Sequence, residues 1–90
     1  MDDVVGADMG VLLQHAYFVE ESMIIQEGAK AIGLYFVTEG SATLLVGGLL
    51  LRESLPGELL GELGCLMGGN YRYSAKVLSK YCRCEILPCA

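Results

Sequence analysis

The sequence predicts a mainly β fold, an antiparallel β roll of the jelly-roll type with one short helical turn. Three observations support this class. The chain of 90 residues is 53% hydrophobic and 19% charged, which provides enough apolar side chain for a small packed core. Short apolar runs rich in Val, Leu and aromatic residues follow one another at close spacing. Twelve glycines, many of them between these runs, indicate tight turns.

The elements follow in chain order. Residues 1–15 mix glycines with small and acidic side chains and predict a frayed end or a weak helix, so the domain is expected to occupy residues 16–90. Apolar runs bounded by turn residues predict strands at residues 16–19, 23–26, 33–38, 41–46, 49–52, 74–78 and 81–87. Gly47-Gly48 predicts a hairpin turn, and Leu55-Pro56-Gly57 predicts another turn. Residues 61–67, followed by two glycines, predict a single helical turn.

Composition narrows the class of function. The net charge of −5 argues against a general nucleic-acid binder. Basic side chains are concentrated in the last twenty residues, so an anion site is expected in or next to that part of the chain. The longest apolar stretch, residues 42–51, is too short to span a membrane, and the acidic start does not resemble a secretory signal. We therefore expect a cytoplasmic domain without a membrane segment.

The four cysteines are expected to be reduced thiols, because the sequence shows no secretory signal. In an extended strand Cys82, Cys84 and Ile86 point to one face, which is typical of small core residues. No metal site is expected, since the chain has a single His and no Cys pair at zinc-ligand spacing. The same shortage of His argues against a metal-dependent enzyme on a β roll, and no nucleophile–base pair is evident. We therefore expect neither an enzymatic activity nor a cofactor.

Three segments carry a resemblance to a known family. They are SMIIQEGAKAIGLYFVTEGSATLL (residues 22–45), PGELLGELGCLMGGNYRYSAKV (residues 56–77) and YCRCEIL (residues 81–87). This order of strands and turns resembles a cyclic nucleotide-binding domain over about residues 16–87. The second segment is similar to the family's phosphate-binding cassette, in which Gly-Glu is followed by a downstream Arg. Within this family, the residues of the three segments are most similar to those of hyperpolarisation-activated and cyclic nucleotide-gated cation channels.

The resemblance implies a regulatory domain that binds cAMP or cGMP and suggests a site. Gly61 lets the backbone approach the ligand, and Glu62 matches the family's Glu that accepts a hydrogen bond from the ribose 2′-hydroxyl. Arg72 is suited to pair with the cyclic phosphate through a charge-assisted hydrogen bond. Leu44 is expected to contribute to an apolar wall for the base. Leu63 and Cys65 are expected to close the pocket.

The cassette departs from the family pattern in its register. The Phe that usually precedes Gly-Glu is replaced by Leu60, and the residue after the Arg is Tyr73. A shifted alignment matches Ser74 and the residues after it to the family's Thr-Ala motif, which places Tyr73 at the Arg position. Because neighbouring residues of a strand face opposite ways, the two registers make different predictions. We prefer Arg72 and keep Tyr73 and Ser74 as further candidates.

The resemblance also implies hinge and lid helices after the roll, whereas this sequence ends at Ala90, just after the last strand. The expected consequence is weak binding, with the base half open to water. The implied partners are a cyclic nucleotide and either a parent channel or a second copy of the chain. A degenerate roll that has lost its ligand and acts as an interaction module is the alternative.

Overall fold

The computed structural model describes residues 14–89. The predicted N-terminal segment therefore lies outside the described residues, except for Gln14 and His15, which belong to the first strand. In chain order the elements are β1 (Gln14–Val19), β2 (Met23–Ile25), β3 (Gly33–Glu39), β4 (Ala42–Val46), β5 (Leu49–Ser54), β6 (Leu59–Leu60), α1 (Glu62–Met67), β7 (Ser74–Val77) and β8 (Tyr81–Pro88).

Two four-stranded antiparallel sheets make up the fold. Their strand orders are β1-β8-β3-β6 and β2-β7-β4-β5. Gly47 and Gly48 connect β4 to β5 with φ angles of 61° and 82°, which are the positive values that a two-residue hairpin turn requires. The predicted β class, the helical turn and each predicted strand are confirmed. The sequence pattern does not predict β6, a two-residue strand that pairs with β3 immediately before α1.

The core lies between the sheets and consists of alternate residues of the strands. Val37, Cys82 and Cys84 supply it from one sheet, and each is at most 1% exposed. The other sheet supplies Ala42, Leu44, Ala75 and Val77. The alternation follows from the pleat, which turns successive side chains to opposite faces. It confirms the prediction that Cys82 and Cys84 are buried and unpaired.

The cysteines correct one prediction. Cys65 in α1 and Cys89, just after β8, form a disulfide with their Cα atoms 5.1 Å apart, so the expectation of four reduced thiols is wrong for this pair. The pairing of Gly33 with Pro88 brings the end of β8 beside the start of β3. The segment before β3 lies against α1, since a Cβ added to Gly64 would be 2.9 Å from Ala31 Cβ. Sequence spacing does not reveal this proximity, because it depends on pairing between distant strands.

Candidate functional site

Gly61 is the N-cap of α1 and has a φ of 93°, with no side-chain hydrogen bond to cap the helix. A Cβ at Gly61 would lie 2.9 Å from Tyr71 Cε1 and 3.2 Å from the Gly33 carbonyl oxygen. Both the left-handed backbone and the close packing favour glycine at this position. The predicted Gly-Glu start of the cassette is therefore a tight turn buried against the roll.

Tyr71 anchors this turn from one side. Its ring is only 6% exposed, and its hydroxyl donates a hydrogen bond of 2.7 Å to the Gly33 carbonyl. The same hydroxyl oxygen accepts from the backbone N–H groups of Gly33 and Ile32, at 3.1 Å and 3.3 Å. One phenol thus satisfies three backbone groups at the start of β3, which fixes the distance between β3 and the cassette.

Tyr73 approaches the same turn from the other side. The Gly61 backbone N–H donates a hydrogen bond of 2.8 Å to the Tyr73 hydroxyl, and the half-buried ring packs against the core. Arg72, between the two inward tyrosines, is exposed, and its side chain has no ion pair or hydrogen bond with another described residue. The structure therefore brings Tyr73 rather than Arg72 to Gly61.

Glu62 is the first residue of α1 and is partly buried. Burial raises the pKa of the Tyr73 hydroxyl; the Gly61 N–H and Arg52 act in the opposite direction, and the Glu62 carboxylate adds to the rise. Glu62 and Arg52 thus act in opposite directions on the pKa of the Tyr73 hydroxyl. Arg52 is in β5, a strand for which the sequence pattern predicts no site residue.

Arg52 forms an ion pair with Glu58, in which Arg52 Nη1 donates to Glu58 Oε1 at 2.6 Å. The hydrogen bond from Arg52 is the main reason why the pKa of Glu58 is lowered, and it raises the pKa of Arg52 in turn. Nearby Ser54 is fully buried, and its hydroxyl has no hydrogen-bond partner of good geometry among the described residues. That hydroxyl is nevertheless close enough to help lower the pKa of Glu58.

The other predicted site residues take different positions. Leu44 is a core residue with 2% exposure, so it offers a ligand almost no surface. The Ser74 hydroxyl is buried and accepts a hydrogen bond of 2.9 Å from the Glu27 N–H. Leu63 is 53% exposed on α1. Cys65 is in the disulfide with Cys89, which leaves it no free thiol.

The sequence motifs do not point to Arg52, Ser54 and Glu58. A signal was present, because Arg52 and Ser54 are two residues apart and share a face of β5. Finding that face required the register of β5 against β4, which pairs Leu44 with Arg52 and Ala42 with Ser54. That register includes a bulge between Leu44 and Leu45, which no simple count along the strands reveals.

Comparison with known proteins settles the family. A family model described as the cyclic nucleotide-binding domain matches residues 15–88. The chain belongs to this family. The match covers both sheets and α1, so the family predicted from the three sequence segments is confirmed.

Solved structures show the same fold. A mutant regulatory subunit of a cAMP-independent protein kinase A from Trypanosoma brucei, bound to cAMP in the A site, has a TM-score of 0.81 and 19% identity. The corresponding subunit from Trypanosoma cruzi, bound to guanosine, has a TM-score of 0.81 and 22% identity. A putative cyclic nucleotide-binding protein from Geobacter metallireducens has a TM-score of 0.75 and 24% identity.

These matches cover 84% of this chain but only part of the other proteins. The cyclic nucleotide-binding domain described here corresponds to 28%, 27% and 56% of the three solved chains, respectively. No curated protein matches the sequence. In the described part of the chain no helix is long and apolar enough to cross a membrane.

Proposed function

We propose that this domain binds a cyclic nucleotide, cAMP or cGMP, as a regulatory and non-enzymatic module. The observation that carries the proposal is the turn at Gly61, which is held between Tyr71 and Tyr73 and followed directly by Glu62 in a member of the cyclic nucleotide-binding family. The turn combines backbone groups, a carboxylate and aromatic side chains in one place. A nucleotide offers matching hydroxyl, phosphate and base surfaces.

Glu62 is the proposed partner of the ribose. A carboxylate accepts hydrogen bonds and repels a phosphate, so the ribose 2′-hydroxyl is the part of the ligand that suits it. Among the described residues no cation forms an ion pair with the Glu62 carboxylate, so it keeps capacity to accept from a ligand. The exposed Leu63 lies beside it on α1 and is proposed to cover the ligand.

The phosphate partner assigned from the sequence, Arg72, stays a prediction. Its exposed side chain is free to reach an anion from outside, but Tyr73 holds the position against Gly61. The roles predicted for Leu44, Cys65 and Ser74 likewise stay predictions. Buried Leu44 and Ser74 would support the pocket from behind, and Cys65 would hold α1 through its disulfide.

The kind of parent protein is proposed from the resemblance of the sequence segments to those of cyclic nucleotide-gated channels. In that context the domain would be a cytoplasmic module of an ion channel, with the rest of the channel or a second copy as its partner. The Cys65–Cys89 disulfide bears on this placement, because disulfides persist mainly in oxidising compartments. The thiol state of these two residues in the cell is therefore a direct test of the proposed location.

A degenerate roll that acts as an interaction module is the second candidate, and one observation favours it. The Tyr73 hydroxyl occupies the Gly61 N–H, so a ligand that uses this donor has to displace the tyrosine. If Tyr73 closes the site permanently, the roll binds no nucleotide.

The experiment is calorimetric titration of the purified chain with cAMP, cGMP and 2′-deoxy-cAMP. We expect the two cyclic nucleotides to bind in the micromolar range or more weakly, and the deoxy analogue to bind more weakly than cAMP. Glu62→Ala should weaken cAMP binding roughly tenfold while leaving the deoxy analogue unchanged, because only the hydroxyl contact is lost.

Glu53→Ala is the matched control. Glu53 is an exposed carboxylate that pairs with Thr43 on the outer side of β5, so its removal should leave cAMP binding unchanged. Absence of binding at millimolar cAMP and cGMP would overturn the proposed function in favour of the ligand-free roll. Equal losses for cAMP and the deoxy analogue in Glu62→Ala would contradict the role of Glu62.

A further inference from the structure

Arg52 points towards the inside of the roll. In an antiparallel pair, residues opposite each other project to the same face, and Arg52 is opposite Leu44, a core residue with 2% exposure. Ser54, two residues further on, is opposite Ala42 and is fully buried. Arg52 therefore shares its face with the core, although 53% of its side chain remains exposed.

Among the described residues, Arg52 has one ion-pair partner. Here Glu58 is that partner, at 2.6 Å from the guanidinium. Glu58 is three residues before Gly61 and directly precedes β6, so the ion pair lies close to the N-terminal end of the cassette. The unpartnered hydroxyl of Ser54 belongs to the same inner face and marks a buried polar position there.

The strand register places Arg52 and Tyr73 on the same face of one sheet. Leu44 is opposite both Arg52 and Ala75, and Tyr73 is two residues before Ala75. The hydrogen bond to Glu58 is the main reason why the pKa of Arg52 is raised, and the Tyr73 hydroxyl and the Glu62 carboxylate add smaller contributions. Arg52 is thus a cation on the same face of the sheet as Tyr73, whose hydroxyl accepts from the Gly61 N–H. Arg72, by contrast, projects away from Gly61, since the tyrosines on either side of it both face inward.

We propose that Arg52, rather than Arg72, is the cation that holds the cyclic phosphate of the ligand, with Glu58 as its partner when no ligand is bound. This assignment rests on the proposed function, since it names the residue that recognises the anionic group of the same ligand. The guanidinium presents several N–H donors, so it can exchange one carboxylate contact for a phosphate contact without losing its charge pairing.

The exchange predicts how Glu58 acts on affinity. The Glu58 carboxylate competes with the ligand for Arg52. Because the Glu58 side chain is 36% exposed, it can rotate out into the solvent when a phosphate binds to Arg52. Removing the carboxylate charge should therefore strengthen ligand binding. A structural role for the ion pair alone predicts no such gain.

The test is calorimetric titration of the full chain and three variants, Arg52→Gln, Arg72→Gln and Glu58→Gln, with cAMP and with adenosine. For cAMP we expect Arg52→Gln to weaken binding roughly tenfold or more, because a charge-assisted contact is lost. Arg72→Gln should change cAMP binding less than roughly threefold. Glu58→Gln should tighten it by a few-fold. Adenosine carries no phosphate, so its binding should be the same in all four proteins.

Melting curves verify that each variant is folded. Arg52→Lys is the second variant at this position and should recover part of the cAMP affinity, since it restores the charge but not the planar fork of donors. A dominant loss in Arg72→Gln, similar losses in both arginine variants, or an equal loss for adenosine in Arg52→Gln would overturn the assignment. If the wild-type chain binds neither cAMP nor cGMP, the proposed function fails first and the assignment fails with it.

Discussion

At the scale of the residue, Tyr71 links the cassette to the sheet. Its hydroxyl meets three backbone groups of Ile32 and Gly33, and its ring packs on Gly61 where a Cβ would not fit. A buried donor or acceptor without a partner costs more than a hydrogen bond normally gains. Tyr71 is therefore the side chain on which the position of the cassette depends most directly.

Tyr71→Phe tests this role. The change keeps the ring but leaves the Gly33 carbonyl and two N–H groups without their partner, so we expect the free energy of unfolding to fall by about 1–3 kcal/mol. Tyr17→Phe is the matched control, because Tyr17 is 60% exposed and stacks on Tyr81 through its ring alone. The control should stay within about 0.5 kcal/mol of wild type in urea unfolding. Equal effects of the two changes would refute the anchoring role.

At the scale of the element, α1 is six residues long and depends on its packing rather than on its own helical preference. Gly64 is its single buried residue, and a Cβ there would lie 2.9 Å from both Ala31 Cβ and the Asn70 carbonyl oxygen. The helix ends at Gly68, whose φ is 66°, and the Gly69 N–H bonds back to the Gly64 carbonyl. This pattern is a Schellman-type end, as the two glycines of the sequence predict.

Gly64→Ala has two opposing effects. Alanine favours the helix by about 1 kcal/mol over glycine, whereas overpacking costs about 1–3 kcal/mol where the surroundings cannot move. The contact here is partly with backbone, so we expect net destabilisation in thermal melts. Gly69→Ala is the control, since a Cβ added at Gly69 would have no atom within 4 Å. A stabilised Gly64→Ala protein would show that α1 has room to shift.

At the scale of the whole molecule, the Cys65–Cys89 disulfide ties α1 to the end of β8 across a sequence separation of 24 residues. A loop of this size stabilises a folded protein by about 3 kcal/mol in the chain-entropy account. Cys82 and Cys84 are a separate pair of buried thiols, and burial raises the pKa of Cys84 to about 12. The four cysteines thus fall into two classes that a thiol reagent can separate.

Labelling at a pH of about 8 should proceed in steps. The folded protein should react slowly, because the thiolate is the reactive form and the buried thiols remain protonated. Unfolding without reductant should expose only Cys82 and Cys84, and added reductant should release Cys65 and Cys89 as well. Reduction should also lower the melting temperature. Rapid labelling of Cys82 and Cys84 in the folded state, or release of all four thiols without reductant, would contradict the assignment.

Most of the fold could be predicted from the sequence, because strand periodicity and glycine turns are local properties. The alternation that predicts Cys82 and Cys84 in the core follows from the pleat alone, and the Gly47-Gly48 turn follows from backbone sterics. The short strand β6 could not be predicted, because two residues are too few to show the alternation of buried and exposed side chains that marks a strand. The disulfide could not be predicted either, because it depends on strands that are distant in the sequence.

For the candidate site, the sequence by itself determined that a Gly-Glu turn opens a short helix and that an aromatic, basic segment follows. Only the tertiary structure decided which of these side chains meet. Because neighbouring residues of an extended segment face opposite ways, only one of Arg72 and Tyr73 can face inward. The pairing of the strands decides between them and brings the Tyr73 hydroxyl to Gly61. A different pairing, that of β4 with β5 through a bulge, turns Arg52 towards the core face. Register is a long-range property, because a shift of one residue exchanges the two faces of a strand while leaving its local pattern unchanged.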